Sequence, residues 1–418
     1  MAPLKYWIWL SSLHGLRPKA RELLLEHFGS PKEIYFAADT DYRDVGGIMP
    51  KELETLKNKD MEPALDILDK CREGKIRILT MQDAEYPRRL LNIFDPPAVL
   101  YVKGNLPVID EEAAIGIAGT RKASPYGIKM ARRMGYEITK GGGLVVSGLA
   151  EGIDSAGAHG ALRAGGSCVG VLGTAIDQVY PRFNWRLFED VMTVGALVSE
   201  YPPGAPNMPG NFPQRNRIIS GLCVGVVIIE APAKSGALIT ASRALDYGRD
   251  VFAVPGNADS FNCVGSNELI KDCAKAVTSG WDVLCEYEGI FAGKIHKIGR
   301  GDAAIPQEEE PEKPSDAEES AQEVGVGFAK LRVPTAKKEI DKQNDMSYID
   351  LEAQLKELSE NQLKIVSVMT AASMHVDDII DLSGLPASVV LSELTLLQIK
   401  GYVIQERGKR FSLNIKKN

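Results

Sequence analysis

The sequence predicts an α/β protein whose centre is a doubly wound, mostly parallel sheet, and two observations lead to this fold class. Between about 113 and 290, short apolar runs recur about every 25 to 30 residues: AAIGIAG, LVVSG, SCVGVLG, ALVSEY, VGVVIIEA and DVFAVPG. Amphipathic, helix-like stretches separate these runs. Apolar strands that alternate with helices form a parallel sheet covered on both faces. The segment 101–290 is therefore predicted to be a Rossmann-like core.

A small helical domain is predicted before this core, over residues 1–100. The stretch RPKARELLLEHFGS has apolar residues at helical spacing and a terminating Gly, and DYRDVGGIMPKELETLKN has a Gly-Gly turn followed by Pro at a helix start. The turn resembles that of a SAM or helix-hairpin-helix domain, in which exposed amides can hold a phosphate. A turn that only packs two helices together is the favoured interpretation.

An acidic linker is predicted at 291–348. Residues 300–325 contain nine acidic and two basic residues, so this segment has a charge of −7, equal to that of the whole chain, and the remainder is neutral. The segment is rich in Pro, Glu and Ser and poor in apolar residues, which is typical of disordered connections between folded domains. The net charge therefore does not exclude a polyanionic partner for the folded parts.

Residues 349–418 are predicted to form a winged-helix domain, with three helices and a two-stranded wing that turns at Gly408. The third helix would read the groove in a DNA-binding version of this fold. Between Pro386 and Lys400 its only charged residues are Glu393 and the terminal Lys400. The wing carries three basic residues, Arg407, Lys409 and Arg410. An accessory or protein-contact role is therefore favoured over specific reading of duplex DNA.

The composition, 44% hydrophobic and 25% charged, is typical of a globular protein of two or three domains. No uninterrupted apolar stretch reaches the roughly 18 residues of a membrane span, and the N-terminal stretch makes a poor signal peptide. A cytoplasmic location without membrane insertion is expected. The six cysteines include no C-x-x-C pair and several lie in apolar surroundings, so buried reduced thiols are favoured over a metal site or disulfides.

The residues that follow the apolar runs indicate the chemistry of the site, because ligands bind beyond the carboxyl ends of the strands in such a sheet. These loops include GTRKASPYG, SGLAEGIDSAGAHG, YPPGAPNMPGNFPQRNR and PAKSGALITA. Small residues let backbone amides approach an anion, and helix N-termini, Arg and Lys favour negative charge. The ligand chemistry that these loops share is phosphate.

Nucleotide and hydrolytic sites are less well supported. GIAGTRKASPYG lacks the G-x-G-x-x-G fingerprint, LVVSG ends without a ribose-binding acid, and there is no G-x-x-x-x-G-K-[ST] loop. Ser155, Asp154 and His159 lie on one predicted helix, where a helix cap and a packed His are favoured over a catalytic triad. Glu230 at a strand end is a candidate catalytic acid or base, but its favoured role is to anchor loop amides or an Arg. No cofactor and no metal is predicted.

Longer motifs follow one another across residues 100–285: GTRKASPYG, VSGLAEGIDSAGAHGAL, SEYPPG, FPQRNRIISGL, EAPAKSGALITASRALDYGRDVFAVPGN and GSNELI. In this order and spacing they resemble the DprA family (DNA-processing protein A, also called Smf). The resemblance implies a Rossmann-like core that binds single-stranded DNA and forms a homodimer. It also implies that the protein protects incoming DNA and loads the recombinase RecA in natural transformation, and that no catalytic residue is needed.

The resemblance further implies which residues bind the DNA: Gly119, Thr120, Arg121, Ser147, Gly148, Arg215, Asn216, Arg217, Lys234, Ser235 and Gly236. Thr120 stands where the family has Ser, and this change keeps the hydroxyl group. Arg217 has a structural alternative, an ion pair with Glu200 or Glu230. Three loop aromatics are available for base stacking, although buried caps between loops are the favoured role for each: Tyr180, Phe183 and Phe212.

A function of a different class stays open beside the mediator. A nucleotide-processing enzyme, such as a phosphoribohydrolase, has the same kind of sheet and would use Glu230. Such enzymes typically have a Pro-Gly-Gly-x-Gly-Thr loop, and EAPAKSGALITA departs from it. A non-enzymatic mediator is therefore the favoured prediction.

Overall fold

The computed structural model describes residues 4–272 and 274–299 and, further on, 361–362, 365, 369, 374–383, 385–399, 403–406 and 410–413. The chain divides into two units, Met1–Ser315 and Asp316–Asn418. From residue 300 onward, the predicted linker lies outside the described residues, and so does the predicted wing turn at Gly408. Within the described ranges, no helix has the length and apolar character needed to cross a membrane.

Six helices precede the sheet: α1 (Leu4–Ser12), α2 (Pro18–Phe28), α3 (Pro31–Phe36), α4 (Asp39–Asp44), α5 (Pro50–Leu56) and α6 (Glu62–Glu73). Proline stands in the first turn of four of them, where its missing N–H removes no helix hydrogen bond. Buried side chains such as Ile8, Leu24 and Leu56 form a core between these helices. The helices predicted in this part of the sequence are therefore present.

Glu52 of α5 is a buried carboxylate in this helical part, 2% exposed. It accepts hydrogen bonds from the backbone N–H groups of Met49 (2.9 Å) and Arg17 (3.1 Å) and forms an ion pair with the Arg17 side chain at 2.7 Å. The hydrogen bond from Arg17 is the main cause that lowers the pKa of Glu52 to about 2. The carboxylate thus joins the start of α2 to the start of α5.

Nine strands form one sheet in the order β1-β2-β6-β5-β4-β3-β7-β8-β9. They are β1 (Arg77–Thr80), β2 (Val99–Gly104), β3 (Ala114–Ala118), β4 (Leu144–Ser147), β5 (Cys168–Leu172), β6 (Ala196–Ser199), β7 (Gly225–Ile228), β8 (Asp250–Ala253) and β9 (Lys275–Ala276). Strands β3 to β9 pair in parallel, and β2 is antiparallel to both β1 and β6. All six predicted apolar runs are strands, so the predicted Rossmann-like fold class is confirmed.

The two strands that pair with β3, β4 and β7, are far apart in the sequence. The chain runs outward through β4, β5 and β6, and then returns to place β7 against the free edge of β3. The connections leaving β3 and β7 therefore diverge to opposite sides, which opens a crevice at the carboxyl ends of these two strands.

The sheet also begins earlier than the sequence predicts. Strand β1 and the start of β2 lie within residues 1–100, the range assigned to a helical domain. Strand β1 has four residues, of which the first two are exposed or half-buried. Such a short edge strand lacks the continuous apolar run by which the central strands are recognised.

Helices cover both faces of the sheet: α7 (Arg88–Leu91), α8 (Pro125–Lys140), α9 (Ile153–Arg163), α10 (Trp185–Val194), α11 (Asn211–Leu222), α12 (Gly236–Asp246), α13 (Val264–Asp272) and α14 (Gly280–Leu284). Alternate residues of β3 supply two apolar cores, Ile115 and Ile117 on one face and Ala114 and Ala118 on the other. Helices α8 and α9 can approach closely because Gly135 has no side chain: a Cβ at this position would collide with the carbonyl oxygen of Gly157.

The C-terminal unit contains α15 (Val376–Ser383), α16 (Ala387–Ile399) and a three-stranded sheet in the order β10-β12-β11, with β10 (Met374–His375), β11 (Val403–Glu406) and β12 (Arg410–Leu413). Buried Ile379, Val390 and Phe411 contribute to its core. Two helices followed by an antiparallel pair of strands confirm the winged-helix prediction, and the first of the three predicted helices lies mostly outside the described residues.

Four of the six cysteines are buried free thiols as predicted, and Cys285 is half-buried. Cys71, Cys168, Cys223 and Cys263 are buried and not in disulfides, and Cys273 lies outside the described residues. Burial raises the pKa of Cys168 and of Cys223 to about 12. These thiols therefore stay protonated and pack as small apolar groups.

Candidate functional site

A cavity of about 560 Å³ lies at the carboxyl ends of β3 and β7, and we call it the strand-end cavity. Three segments supply most of its polar lining: the loop after β3, the first half of α11, and the turn that begins α12. Eight of the eleven residues predicted from the sequence line it, namely Gly119, Thr120, Arg121, Arg215, Asn216, Lys234, Ser235 and Gly236. The topological switch point thus brings together residues that are far apart in the sequence.

Arg121 is an exposed cation at the wall of the strand-end cavity. Its guanidinium carbon lies 5.4 Å from the centre of the Phe212 ring, a cation–π arrangement. In the part of the chain that the structure describes, Arg121 forms no ion pair, and the neighbouring acids Glu151 and Asp154 do not pair with it. The positive charge is therefore held in position and left available to an anion.

Glu230 fixes the loop that carries Arg121. The carboxylate is 1% exposed and accepts hydrogen bonds from the backbone N–H of Ser124 (2.9 Å) and from its hydroxyl group (2.5 Å). The Thr120 N–H donates to the backbone oxygen of Glu230 at 2.7 Å. A Cβ at Gly127 would collide with the carboxylate, so the first turn of α8 closes over it. These contacts agree with the favoured interpretation, in which a strand-end carboxylate anchors loop amides.

Arg215 and Asp154 lie opposite each other at the floor of the strand-end cavity, and both are buried, at 4% and 7% exposed. Arg215 Nη1 donates to the backbone oxygens of Gly148 (2.9 Å) and Val171. Burial lowers the pKa of Arg215 to about 10, and the charge of Asp154 opposes this effect. Burial raises the pKa of Asp154 to about 6, against the opposing charge of Arg215. At neutral pH the pair therefore carries both charges and contributes little net charge.

Asp154 is a site residue that the sequence interpretation assigned to a helix cap. Its carboxylate also accepts hydrogen bonds from the backbone N–H groups of Gly119 and Gly148, so it joins the ends of β3 and β4. The neighbouring Ser155 hydroxyl donates to the Ala150 oxygen and accepts a hydrogen bond from Asn184 at 2.7 Å. Ser155 and Asp154 thus have different partners, and neither is arranged as part of a catalytic triad.

The start of α12 presents a helix N-terminus to the strand-end cavity. The Ser235 hydroxyl caps the helix by accepting from the Ala237 N–H at 3.3 Å, and a Cβ at Gly236 would meet only open space. Asn216 donates to the Gly236 oxygen at 3.2 Å and so joins α11 to this turn. Lys234 is exposed and forms no ion pair among the described residues. Free amides, the helix dipole and an ammonium group therefore meet here.

Three predicted site residues lie outside this lining. Ser147 is fully buried, and its hydroxyl donates to the backbone oxygen of Asp154 at 3.0 Å. Gly148 lies beside Arg215, where a Cβ would collide with the guanidinium group. Arg217 forms ion pairs with Glu200 (2.8 Å) and Asp95 (3.1 Å), so the structural alternative with Glu200 is the one observed. In this structure all three support the surrounding elements.

The loop aromatics are more exposed than the sequence interpretation expected. Phe183 is 65% and Tyr180 is 43% exposed, and Phe212 is half-buried beside Tyr180 with 5.2 Å between the ring centres. The interpretation as buried caps is therefore wrong for Phe183 and Tyr180. Asn184 takes the buried position instead, because its amide donates to the Leu149 oxygen at 3.1 Å.

The strand-end cavity is thus suited to an anion with several oxygen atoms. Arg121 and Lys234 offer full charges, the turn before α12 offers backbone N–H groups, and the carboxylate in the lining, Asp154, is already matched by Arg215. Among the described residues, no cluster of His, Cys, Asp and Glu is arranged to hold a metal ion. Loop amides, a helix N-terminus and unpaired cations in a crevice are the usual elements of a phosphate site.

The chain has a mostly parallel, doubly wound sheet with a cationic cavity at its switch point, and a winged helix comes later in the sequence. These features define a Rossmann-like protein with an anion-accepting site. A family model described as DNA recombination-mediator protein A matches residues 77–288, and a model of the DprA winged helix domain matches residues 350–409. The chain belongs to the DNA recombination-mediator protein A family, also called DprA or Smf.

Individual relatives agree with this assignment. The chain is 33% identical over 414 residues to protein Smf of Synechocystis, covering 97% of this chain and 98% of the relative. It is 40% identical over 220 residues to the DNA processing protein DprA of Bacillus subtilis, covering 53% of this chain and 74% of that protein. The X-ray structure of DprA from Streptococcus pneumoniae superposes with a TM-score of 0.60 at 34% identity, over 68% of this chain and 97% of that one.

Proposed function

We propose that this chain is a non-enzymatic recombination mediator that binds single-stranded DNA in the strand-end cavity. One observation carries the proposal: Arg121 and Lys234 flank the start of α12, and neither is neutralised by an ion pair within the described residues. Gly119, Thr120, Ser235 and Gly236 add small side chains through which backbone N–H groups can reach phosphate oxygens. Membership of the recombination-mediator family supports the same conclusion.

This arrangement recognises the sugar-phosphate backbone and not the bases. Phosphates repeat along a strand whatever its sequence, so amides and cations can hold several of them without reading bases. The expected binding is tolerant of sequence and sensitive to salt, because bound phosphates release their counterions.

The finer parts of the proposal follow from the family. The chain protects incoming DNA, loads RecA in natural transformation, and works in the cytoplasm as a homodimer. The DNA is held by the core, residues 101–290, and the helical domain at 1–100 and the winged helix at 349–418 act as accessory domains. The linker at 291–348 connects the core to the winged helix.

The alternative, a phosphoribohydrolase-like enzyme, requires an available carboxylate. Glu230 was its candidate, but this side chain is 1% exposed, is held by Ser124, and is not part of the lining of the strand-end cavity. Incubation with a panel of nucleotides tests this alternative directly. Release of a free base would support the enzyme and count against the mediator.

A titration with labelled oligonucleotides tests the proposed function. The full chain is added to oligo-dT and to a duplex of the same length, and binding is followed by fluorescence anisotropy at several salt concentrations. Tighter binding to the single strand, weakening steeply as salt rises, is expected. Equal or tighter binding to the duplex would contradict the proposal.

A further inference from the structure

The segment that leads from β5 into the first turn of α10 alternates aromatic and basic side chains at the surface. Tyr180, Phe183 and Trp185 are 43%, 65% and 48% exposed, and Arg182 and Arg186 are exposed between and after them. Apolar rings of this size are seldom left in water in such a group without a binding role. We call this segment, residues 180–186, the aromatic segment.

The aromatic segment is firmly held despite its exposed rings. Asn184 is 9% exposed and donates hydrogen bonds to the Leu149 oxygen (3.1 Å) and to the Ser155 hydroxyl (2.7 Å). Leu187 and Phe188, directly after it, are buried in the core below α10. Phe183 and Trp185 therefore flank a fixed residue, and little backbone entropy is lost when they bind a ligand.

The aromatic segment is continuous with the strand-end cavity. Tyr180 lines that cavity and packs against Phe212, with 5.2 Å between the ring centres. Phe212 in turn lies below the guanidinium group of Arg121. Aromatic faces thus begin at the phosphate-binding cation and continue into the segment that carries Phe183 and Trp185.

The charges of the aromatic segment favour a polyanionic strand over an apolar protein surface. Arg186 lies over the Trp185 ring at 5.2 Å, and within the described residues neither Arg182 nor Arg186 forms an ion pair. Exposed carboxylates nearby are those of Glu151, in the loop before α9, and of Glu189 and Asp190 on α10. Exposed rings interleaved with free guanidinium groups match the alternation of bases and phosphates along a single strand.

We propose that the aromatic segment is a base-stacking surface, over which a single strand continues after its phosphates leave the strand-end cavity. Bases stack on Phe183 and Trp185, and phosphates pass Arg182 and Arg186. This inference rests on the proposed function, because it extends the same binding path. Stacking accepts every base, so it adds affinity and site length without sequence preference.

The intrinsic fluorescence of Trp185 can report the binding of DNA to the aromatic segment. Of the four tryptophans of the chain, Trp7 and Trp9 are buried, Trp281 is half-buried and Trp185 is exposed. Titration of the full chain with oligo-dT is expected to quench tryptophan fluorescence, and the Trp185→Phe variant, which keeps an aromatic ring, is expected to lose the quenching while still binding. An unchanged quenching curve in Trp185→Phe, or no quenching in the unsubstituted chain, would overturn the proposal.

Affinity provides the second measurement. Phe183→Ala combined with Trp185→Ala should weaken binding of a long oligo-dT by about fivefold or more for each lost ring. An oligomer of the same length whose sugars carry no bases should bind this variant and the unsubstituted chain equally. Phe94→Ala is the matched control, since Phe94 is 73% exposed and lines a different cavity.

The outcomes separate this inference from the proposed function. Unchanged affinity in the double variant, together with weaker binding by Arg121→Ala, would overturn the stacking surface and leave the strand-end cavity as the DNA site. Unchanged affinity in the double variant and in Arg121→Ala would overturn the stacking surface and the proposed DNA site together. If the double variant does not fold, the Trp185→Phe titration decides alone.

Discussion

The guanidinium carbon of Arg121 lies 5.4 Å from the ring centre of Phe212, and this contact holds a free cation above the strand-end cavity. Phe212 belongs to α11, and Arg121 belongs to the loop after β3. The contact therefore joins the two chain segments that form opposite walls of the crevice. A charge held in this way has lost much of its side-chain freedom before any ligand binds.

Replacing Glu230 with Ala should impair binding through the loop that it anchors. The substitution removes the acceptor for the Ser124 N–H and hydroxyl groups, so a loss of about 2 kcal/mol in the free energy of unfolding is expected. Affinity for oligo-dT should also fall, because Arg121 is no longer positioned.

A double-mutant cycle checks the origin of that loss. If Glu230 acts through Arg121, the combined Glu230→Ala and Arg121→Ala variant should bind no more weakly than Arg121→Ala alone. Additive losses would instead show that Glu230 affects binding by a route other than Arg121. Glu73→Ala, at an exposed position at the end of α6, is the control for a lost carboxylate.

Glu52 should make the stability of the helical domain depend on acid pH. Its pKa is lowered from 4.5 to about 2 in the folded protein, so its contribution is fully present above about 4.5 and is lost as pH falls through about 2. Glu52→Gln should therefore lower the melting temperature at pH 7, and the difference should shrink as pH falls to 2.

Thermal melts of the two proteins across pH 2 to 7 measure this effect. Glu54→Gln is the matched control, because Glu54 lies on the same helix but is exposed and pairs with Lys57 at the surface. The contrary result is that the melting temperatures of Glu52→Gln and the unsubstituted chain differ by the same amount at every pH. That result would show that the ion pair with Arg17 is not the source of the difference.

The composition of residues 300–325 predicts where proteases cut. Limited digestion should cleave between about 295 and 345 and leave a core of roughly residues 1–290 that still binds single-stranded DNA. Gel-shift titration of the purified core measures this binding. Its loss on removal of the C-terminal part would place the DNA on the winged helix and not on the sheet.

The homodimer is expected to form through the Rossmann-like core. Sedimentation of a fragment that spans residues 1–290 should therefore show a dimer at micromolar concentration. A monomer at that concentration, with a dimer for the full chain, would place the contact in the C-terminal part.

The central sheet could be predicted from the sequence because β3 to β7 are apolar runs that are buried on both faces, and β8 is apolar and buried after its first residue. Strand β9 has two exposed residues, and β1 is half-exposed, so no apolar run marks either strand. These edge strands depend on neighbours that the sheet provides, which a local pattern does not contain.

The candidate site was predictable where the signal is local. Arg121 directly follows a strand end in a Gly-led turn, and that position alone indicates an anion site. Asp154 was not recognised, because its role depends on Arg215, a partner distant in sequence that meets it only in the fold. The pair of Arg217 with Glu200 is one of two alternatives, and only the fold, which brings Glu200 to 2.8 Å from Arg217, decides between them.

Arg121→Ala tests the central claim, that the strand-end cavity holds the phosphates of single-stranded DNA. Removal of this cation should weaken oligo-dT binding by about 1 to 3 kcal/mol, for all oligonucleotide sequences alike. Arg72→Ala on α6, where an exposed arginine pairs with Asp69, is the control and should bind normally.

The measurement is affinity against salt concentration, together with a thermal melt. The account predicts that the slope of log affinity against log salt becomes shallower by about 0.7, because one fewer counterion is released from a single strand, while the melting temperature hardly moves. Unchanged affinity and unchanged salt slope in Arg121→Ala would contradict it.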